Sequence, residues 1–202
     1  MRAERRTASL IPVKAFSDGK SRLQTAMGDQ ERADLARELA TGVIRACADM
    51  NPHVICEDDG IANWAMGLGA SVLRPAVSGL NRVVRFGVEA VGRHGYERAL
   101  VAHADLADAD ALRAVAELDG VVLVPDTEKS GTNVVVVPAR LGFSFSYGPN
   151  SFARHLSEAE RLGLPVHIVV DEGLALDIDN AADLELYRAR RASSARPQGL
   201  TV

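Results

Sequence analysis

The 202 residues carry 23 Lys and Arg against 27 Asp and Glu, a net charge of −4, with 47% hydrophobic and 25% charged residues. This is enough chain for one globular domain with a substantial core, and a single domain over residues 1–191 with a disordered tail at 192–202 is the expectation. An acidic chain with one Trp, three Tyr and five Phe lacks the broad basic surface and stacking platforms of a nucleic-acid binder; no apolar run approaches the roughly 18 residues of a membrane span, so neither nucleic acid nor membrane is an expected partner.

The charge is uneven. Residues 1–24 hold Arg2, Arg5, Arg6, Lys14, Lys20 and Arg22 against Glu4 and Asp18, a local balance of +4 that leaves −8 for the remainder. A basic start on an acidic chain suggests one confined anionic ligand. Met1-Arg-Ala-Glu-Arg-Arg6 is not followed by an apolar signal core, so the expected location is the cytoplasm. Cys47 and Cys56, without a His at metal-binding spacing, read as reduced buried thiols.

In chain order, Ala8–Val13 predicts a first strand, followed by a polar loop through Lys14, Lys20 and Arg22. A long helix follows, with Asp29 as its cap and Leu35, Leu39, Val43, Ile44 and Cys47 as one buried stripe. His53–Cys56 predicts a second strand, Ile61–Leu68 a short helix and Ser71–Arg74 a third strand. Ser78-Gly-Leu-Asn81 opens a helix to about His94. Ala99–Ala102 is apolar throughout, as in a buried parallel strand, and runs into Asp105. Ligands in open α/β sheets gather beyond the carboxyl ends of strands, so Asp105 is either a ligand-site residue or the cap of the segment from Asp110.

Val121–Val124 and Val134–Val137 predict two further strands, the latter entered through Gly131-Thr-Asn133, whose hydroxyl and backbone N–H groups suit an anion. Tyr147-Gly-Pro-Asn-Ser151 leads into a helix to about Gly163, another favourable anion position. Pro165–Val170 predicts the last strand, and a helix from Ala181 to about Arg191 closes the fold. Between them lie Asp177 and Asp179, which share one face of an extended backbone. Two adjacent carboxylates either hold a hard divalent ion such as Mg²⁺ or cap the helix that starts at Asn180.

The basic loop, Asp105 and the aspartate pair together describe a metal-assisted nucleotide site, with cations on the β and γ phosphates and carboxylates on Mg²⁺. Neither Gly-x₄-Gly-Lys-Ser/Thr nor Gly-x-Gly-x-x-Gly occurs, which weakens kinase-like and dehydrogenase readings. His103 and His155 are candidate bases, but a phosphate nucleophile is already ionised near neutral pH and needs none.

Ile11-Pro-Val-Lys14 with Lys20-Ser-Arg-Leu23, Ser78-Gly-Leu-Asn81, Ala104-Asp-Leu106, Pro125-Asp126 with Gly131-Thr-Asn133, Gly148-Pro-Asn-Ser-Phe-Ala-Arg-His155 and Leu176-Asp-Ile-Asp179 follow one another in a fixed order. In that order the chain resembles the guanylyltransferases of deazaflavin coenzyme F(420) biosynthesis, which act on phosphoenolpyruvate or 2-phospho-L-lactate. The resemblance covers residues 9 to about 188 and implies an α/β fold of three layers, a mixed, mostly parallel sheet flanked by helices. It also implies GTP and a phosphorylated three-carbon acid as substrates, Mg²⁺ as cofactor and pyrophosphate as second product. By the same resemblance Asp105, Asp177 and Asp179 match catalytic metal-binding positions. Thr132, Gly148 and Ser151 match acceptor-binding positions, and Lys14, Lys20 and Arg22 fall in the triphosphate loop. Gly79 and Asn81 are candidates for the nucleotide base. The chain departs from the family at Ala107, often Pro there, and at Ala15-Phe16 in place of Pro-Leu. Rival readings are a related nucleotidyltransferase with a sugar phosphate or molybdopterin acceptor, and a GTP-binding regulatory module without turnover. A monomer or homodimer is expected.

Overall fold

The computed structural model describes residues 6–18 and 20–194; the expected tail lies, from residue 195 onward, outside the described residues. The chain alternates strands and helices: β1 (Thr7–Pro12), α1 (Asp29–Ala46), β2 (Pro52–Ile55), α2 (Asp59–Gly67), β3 (Ser71–Leu73), α3 (Leu80–Arg93), β4 (Arg98–Ala102) and α4 (Leu112–Glu117). There follow β5 (Val121–Pro125), β6 (Thr132–Pro138), α5 (Ser151–Arg161), β7 (Val166–Ile168), α6 (Glu172–Ala175) and α7 (Ala181–Ser194). One seven-stranded sheet results, in the order β3-β2-β1-β4-β6-β5-β7. Every pairing is parallel except those of β6, which runs antiparallel to β4 and β5. The reversed strand matters for the site, because its N-terminal end lies at the edge where the parallel strands have their carboxyl ends.

The side-chain period of two explains why the central strands are apolar without interruption. Leu100 and Ala102 of β4, Val122 and Val124 of β5, and Val134 and Val136 of β6 pack with Val43 and Ile44 of α1, Ile61 of α2 and Val115 of α4. Their alternating neighbours Ala99, Val101, Val121, Leu123, Val135 and Val137 pack on the opposite side with Val84, Val88 and Val91 of α3 and Ala159 of α5. Burying each such side chain contributes on the order of 1.5–3 kcal/mol. At Gly87 the approach of α3 to the sheet is so close that a Cβ would lie 2.6 Å from Ile55 Cδ1.

A third cluster joins the basic loop to the end of the chain. Leu23, Leu35 and Leu39 pack against Leu176, Ile178, Leu184 and Tyr187, so α7 is pinned beside α1.

Several boundaries differ from expectation for identifiable reasons. The cap of α1 is Gly28 rather than Asp29: the Glu31 side chain accepts the Gly28 N–H at 2.8 Å, while Asp29 is the first helical residue and pairs with Arg32. The last strand is only Val166–Ile168 because it lies at the sheet edge, and Val170 beyond it is 68% exposed. Between it and the aspartate pair sits α6, whose cap is Asp171: its Oδ1 accepts from the N–H groups of Gly173 and Leu174. A one-turn helix is too short to leave a periodic signature. The closing helix extends to Ser194, three residues past the expected end at Arg191.

Candidate active site

One backbone bridge, made of two hydrogen bonds, brings the distant acids together. Beyond the carboxyl end of β4, Leu106 forms an isolated antiparallel bridge with Asp177; the Ala107 N–H donates to Leu176 O at 2.8 Å and the Ile178 N–H to Asp105 O at 3.1 Å. The segment 176–179 is therefore extended, and its alternation sends Leu176 and Ile178 into the third apolar cluster and Asp177 and Asp179 to the other side. Lys20 enters the same space from the basic loop. Its backbone is left-handed, with φ 60°, and its side chain is only 5% exposed. Its Nζ lies 2.6 Å from Asp105 Oδ2 and 3.5 Å from Asp179 Oδ1. Asn133 completes the group: its Nδ2 donates to Leu174 O and Ala175 O, both at 3.0 Å, and reaches Asp177 Oδ1 at 3.3 Å.

Helix capping does not explain the aspartate pair. Asn180 Oδ1 accepts the N–H groups of Ala182 and Asp183, and Asp183 Oδ2 accepts those of Asp179 and Asn180, all at 2.9–3.2 Å. These two residues satisfy the start of α7 reciprocally, as in a capping box, and leave the carboxylates of Asp177 and Asp179 to other work. Asp105 does not cap α4 either, whose first turn follows Ala111.

Three carboxylates facing one ammonium are electrostatically unbalanced. Burial by itself would raise the Asp105 pKa, but the charges of Lys20 and then His103, with the Lys20 hydrogen bond, hold it below the usual value. Asp177 moves the other way: burial raises it, and the negative charges of Asp105 and Asp179 raise it further. The donor set is all hard carboxylate oxygen, the chemistry that suits Mg²⁺. Among the described residues no group of three or more His, Cys, Asp or Glu side chains is spaced to hold one ion.

The neighbouring half of the site is neutral. Thr132 Oγ1 and Ser151 Oγ lie 3.3 Å apart, both residues 1% exposed, and fully buried His155 places Nδ1 3.1 Å from Thr132 Oγ1. The other ring nitrogen, Nε2, accepts the Ser146 N–H at 2.9 Å. Burial first, with the charges of Arg154 and His103 adding to it, pushes the His155 pKa down to about 4. That keeps the ring neutral near pH 7, with Nε2 occupied by the Ser146 N–H.

Backbone donors expected here for an anion are partly committed. Asp126 accepts the N–H groups of Ser130 at 2.9 Å and Gly131 at 2.7 Å, closing the turn between β5 and β6; a Cβ on Gly131 would lie 2.5 Å from Asp126 Oδ2. At the start of α5 the Ser151 N–H donates to Gly148 O and the Phe152 N–H to Ser130 O. Asn81 likewise spends both ends of its amide on the backbone of Tyr147, accepting from N–H at 2.6 Å and donating to O at 3.4 Å. It ties the start of α3, which follows Gly79, to the segment leading to Gly148. Lys14, just past β1, and Arg22, in a 3₁₀ turn, are exposed. The structure thus brings Lys20, Asp105, Asp177 and Asp179 into one cluster and Thr132 and Ser151 into another. A surface hollow of about 550 Å³ lined by α1, Asp108, Tyr187 and Arg191 contains none of these residues.

Of two residues that organise the site, Asn133 was visible only as a member of Gly-Thr-Asn, and His155 as a candidate base and as the end of the Gly148–His155 motif. Their side-chain partners lie between 9 and 44 residues away, beyond the reach of local patterning.

The fold resembles solved nucleotidyltransferase-type structures. A structure from Desulfovibrio desulfuricans G20, described as a nucleotide-diphospho-sugar transferase, matches with TM-score 0.76 at 17% identity, covering 94% of this chain and 90% of that one. A nucleotidyl transferase from Methanothermobacter thermautotroptrophicus matches with TM-score 0.65 at 15% identity, covering 93% and 99%. In sequence, a phosphoenolpyruvate guanylyltransferase of Sphaerobacter thermophilus is 33% identical over 189 residues, 89% of this chain and 91% of that protein. A 2-phospho-L-lactate guanylyltransferase of Archaeoglobus fulgidus is 30% identical over 177 residues, 87% and 80% respectively. The family described as guanylyl transferase CofC like matches residues 7–187, a span that includes every acid, hydroxyl and amide described above, and the chain belongs to that family.

Proposed function

We propose that the protein transfers GMP from GTP to the phosphate of a phosphorylated three-carbon acid, phosphoenolpyruvate or 2-phospho-L-lactate, with release of pyrophosphate, in coenzyme F(420) biosynthesis. This reading places the reaction in the cytoplasm, with two soluble anions as substrates. The observation that carries the proposal is the pairing of two unlike half-sites through consecutive residues of β6. Thr132 joins the neutral hydroxyl pair, and Asn133 joins the carboxylate cluster. The β5–β6 ladder shifts register there, with Thr132 opposite Pro125 and Val134 opposite Val124, so one short, irregular strand end serves both groups and can hold two anionic substrates in fixed relation.

In the proposed reaction an oxygen of the acceptor phosphate attacks the α-phosphorus of GTP in line, and the bond to the β-phosphate oxygen breaks. No covalent intermediate and no general base are required, because the attacking phosphate is ionised at neutral pH. The hydroxyls of Thr132 and Ser151 orient the acceptor, while Lys20 and the exposed Lys14 and Arg22 neutralise the triphosphate and its leaving pyrophosphate. A Mg²⁺ held by one or two of Asp105, Asp177 and Asp179 together with phosphate oxygens would offset the charge that builds at the reacting phosphorus.

A relative from Phenylobacterium zucineum, 28% identical over 188 residues, is named 3-phospho-D-glycerate guanylyltransferase, so that acid is a third acceptor to test. Incubation with Mg²⁺, GTP and each of the three acids in turn, with pyrophosphate as the readout, distinguishes them. Release only with a sugar phosphate, or with no acceptor at all, overturns the proposal.

A further inference from the structure

The hydroxyl half of the site contains a proton count that one histidine decides. Thr132 Oγ1 and Ser151 Oγ, 3.3 Å apart, bring two protons between them. One is spent on their mutual hydrogen bond. What happens to the other depends on which nitrogen of His155 bears hydrogen.

The Ser146 N–H points at Nε2 of His155 from 2.9 Å, and a backbone N–H can only donate. Nε2 must therefore be the bare, accepting nitrogen. The neutral ring then carries its proton on Nδ1, which donates to Thr132 Oγ1 at 3.1 Å. Thr132 receives a hydrogen bond from the ring and spends none on it, so one hydroxyl proton of the pair remains for an anion. The opposite tautomer would set Nε2–H against the Ser146 N–H and make Nδ1 an acceptor. Thr132 would then donate to the ring and Ser151 to Thr132, and no proton would be left over.

We infer that His155 is a positioning residue: held as the Nδ1–H tautomer by the Ser146 backbone, it turns the Thr132 and Ser151 hydroxyls into a net donor for the anionic group of the acceptor. The inference rests on the proposed placement of the acceptor at Thr132 and Ser151. It gains weight from the commitment of nearby backbone donors, since the N–H groups of Gly131, Ser151 and Phe152 are already bonded within the protein. The ring is also walled by Phe143, Phe145 and Tyr147, with centroids 5.9, 6.2 and 4.9 Å away, which fixes its plane and disfavours a flip.

The test combines a direct reading of the tautomer with a pair of variants. In ¹⁵N NMR of the wild-type protein at pH 7, the His155 ring should show a protonated, pyrrole-type Nδ1 and a bare Nε2; a protonated Nε2 or a doubly protonated ring overturns the inference. His155→Asn keeps an N–H donor at about the reach of Nδ1, whereas His155→Leu keeps bulk and loses the donor. His155→Leu should raise the KM for the acceptor about tenfold with GTP affinity unchanged, and His155→Asn should recover most of that loss. Equal acceptor KM in the two variants means that His155 only fills space. Should neither variant fold, the wild-type spectrum still decides. Thr132→Val separates this inference from the reading beneath it. An unchanged acceptor KM in that variant removes the acceptor from Thr132 and the inference with it, whereas a raised KM there beside an unaffected His155→Leu removes only the role of His155.

Discussion

The two halves of the site differ in how complete they are without ligands. The hydroxyl half is preassembled, with one hydroxyl proton left to give: Thr132, Ser151, His155 and the Ser146 N–H form one chain of hydrogen bonds, deeply buried and uncharged. The carboxylate half is open in charge: the ammonium of Lys20 pairs with Asp105 and Asp179, while Asp177 is pushed up by burial and by its two acidic neighbours. A preformed neutral clamp costs little to organise when its ligand arrives, while a cluster with excess negative charge gains most from a cation. The contrast implies that one half chiefly orients and the other chiefly supplies charge.

The largest effect should come from breaking the charged half. Asp179→Asn, which retains size but loses charge, should lower turnover by a few hundredfold or more, corresponding to roughly 3–4 kcal/mol in the barrier. Pyrophosphate release at limiting Mg²⁺ is the measurement, and near-wild-type turnover would contradict a catalytic role. The stability of this mutant should respond much less than the wild type to added Mg²⁺ and GTP.

Stability without ligands should separate two acids that activity does not. Asp105→Asn removes the closer of the two carboxylates on a lysine that is 5% exposed, and leaving that ammonium with Asp179 at 3.5 Å alone should cost up to about 3 kcal/mol in denaturant unfolding. Lys20→Ala should also destabilise, because it leaves Asp105 facing Asp177 and Asp179 without a cation; a loop lysine with a free side chain would have left the fold untouched. Asp177→Asn should be neutral or slightly stabilising at neutral pH. The Asp177 pKa is raised in the folded state, so the folded protein binds that proton more tightly than the unfolded chain. Its favourable contribution is present at low pH and lost as pH rises through the folded value, and Asn removes the penalty. A large loss of stability in Asp177→Asn would show that its contact with Asn133 outweighs the repulsion.

The neutral half should be broken by acid. His155 has its pKa depressed from 6.5 to about 4, so the unfolded chain binds its proton first as pH falls. Stability is therefore fully present above pH 6.5 and declines as pH drops towards 4, by up to about 3 kcal/mol for this residue. The difference in unfolding free energy between wild type and His155→Asn, followed from pH 7 to pH 4.5, isolates it from the acids that titrate nearby. A difference independent of pH means that the ring is already charged or exposed.

The smallest effect sharpens the boundary of the site. Asn180→Ala should cost about 1 kcal/mol of stability through the lost cap of α7, with turnover close to wild type. If turnover falls as far as in Asp179→Asn, the segment 177–180 works as a single structural hinge.

The fold was legible where the signal is local. Continuous apolar runs such as Val121–Val124 and Val134–Val137 marked the central strands, because both faces of the sheet are covered and every side chain there is buried. The stripe from Leu35 to Cys47 marked α1 for the same reason at helical spacing. The cap of α1 was misplaced by one residue, since Asp29 and Gly28 are both acceptable there and the Glu31 contact decides. The one-turn α6 left no pattern. Asn81, read as a candidate nucleotide contact, also braces the backbone of Tyr147, a partner 66 positions away that no local pattern marks.

The sequence by itself determined the alternation of strands and helices, the acids at strand ends and their even spacing, since these follow from residue periods of 2 and 3.6 and from charge. It also carried the ordered motifs from Ile11 to Asp179 that signal the family. Tertiary structure decided what those residues do together. Lys20 turns inward on a left-handed backbone to meet Asp105, 85 positions further on, and Asn133 reaches Asp177 across 44. No local preference encodes such meetings: they arise because β6 is reversed between β4 and β5, which carries Thr132 and Asn133 to the edge where Asp105 already stands, and because Leu176 and Ile178 must be buried, which turns Asp177 and Asp179 the other way.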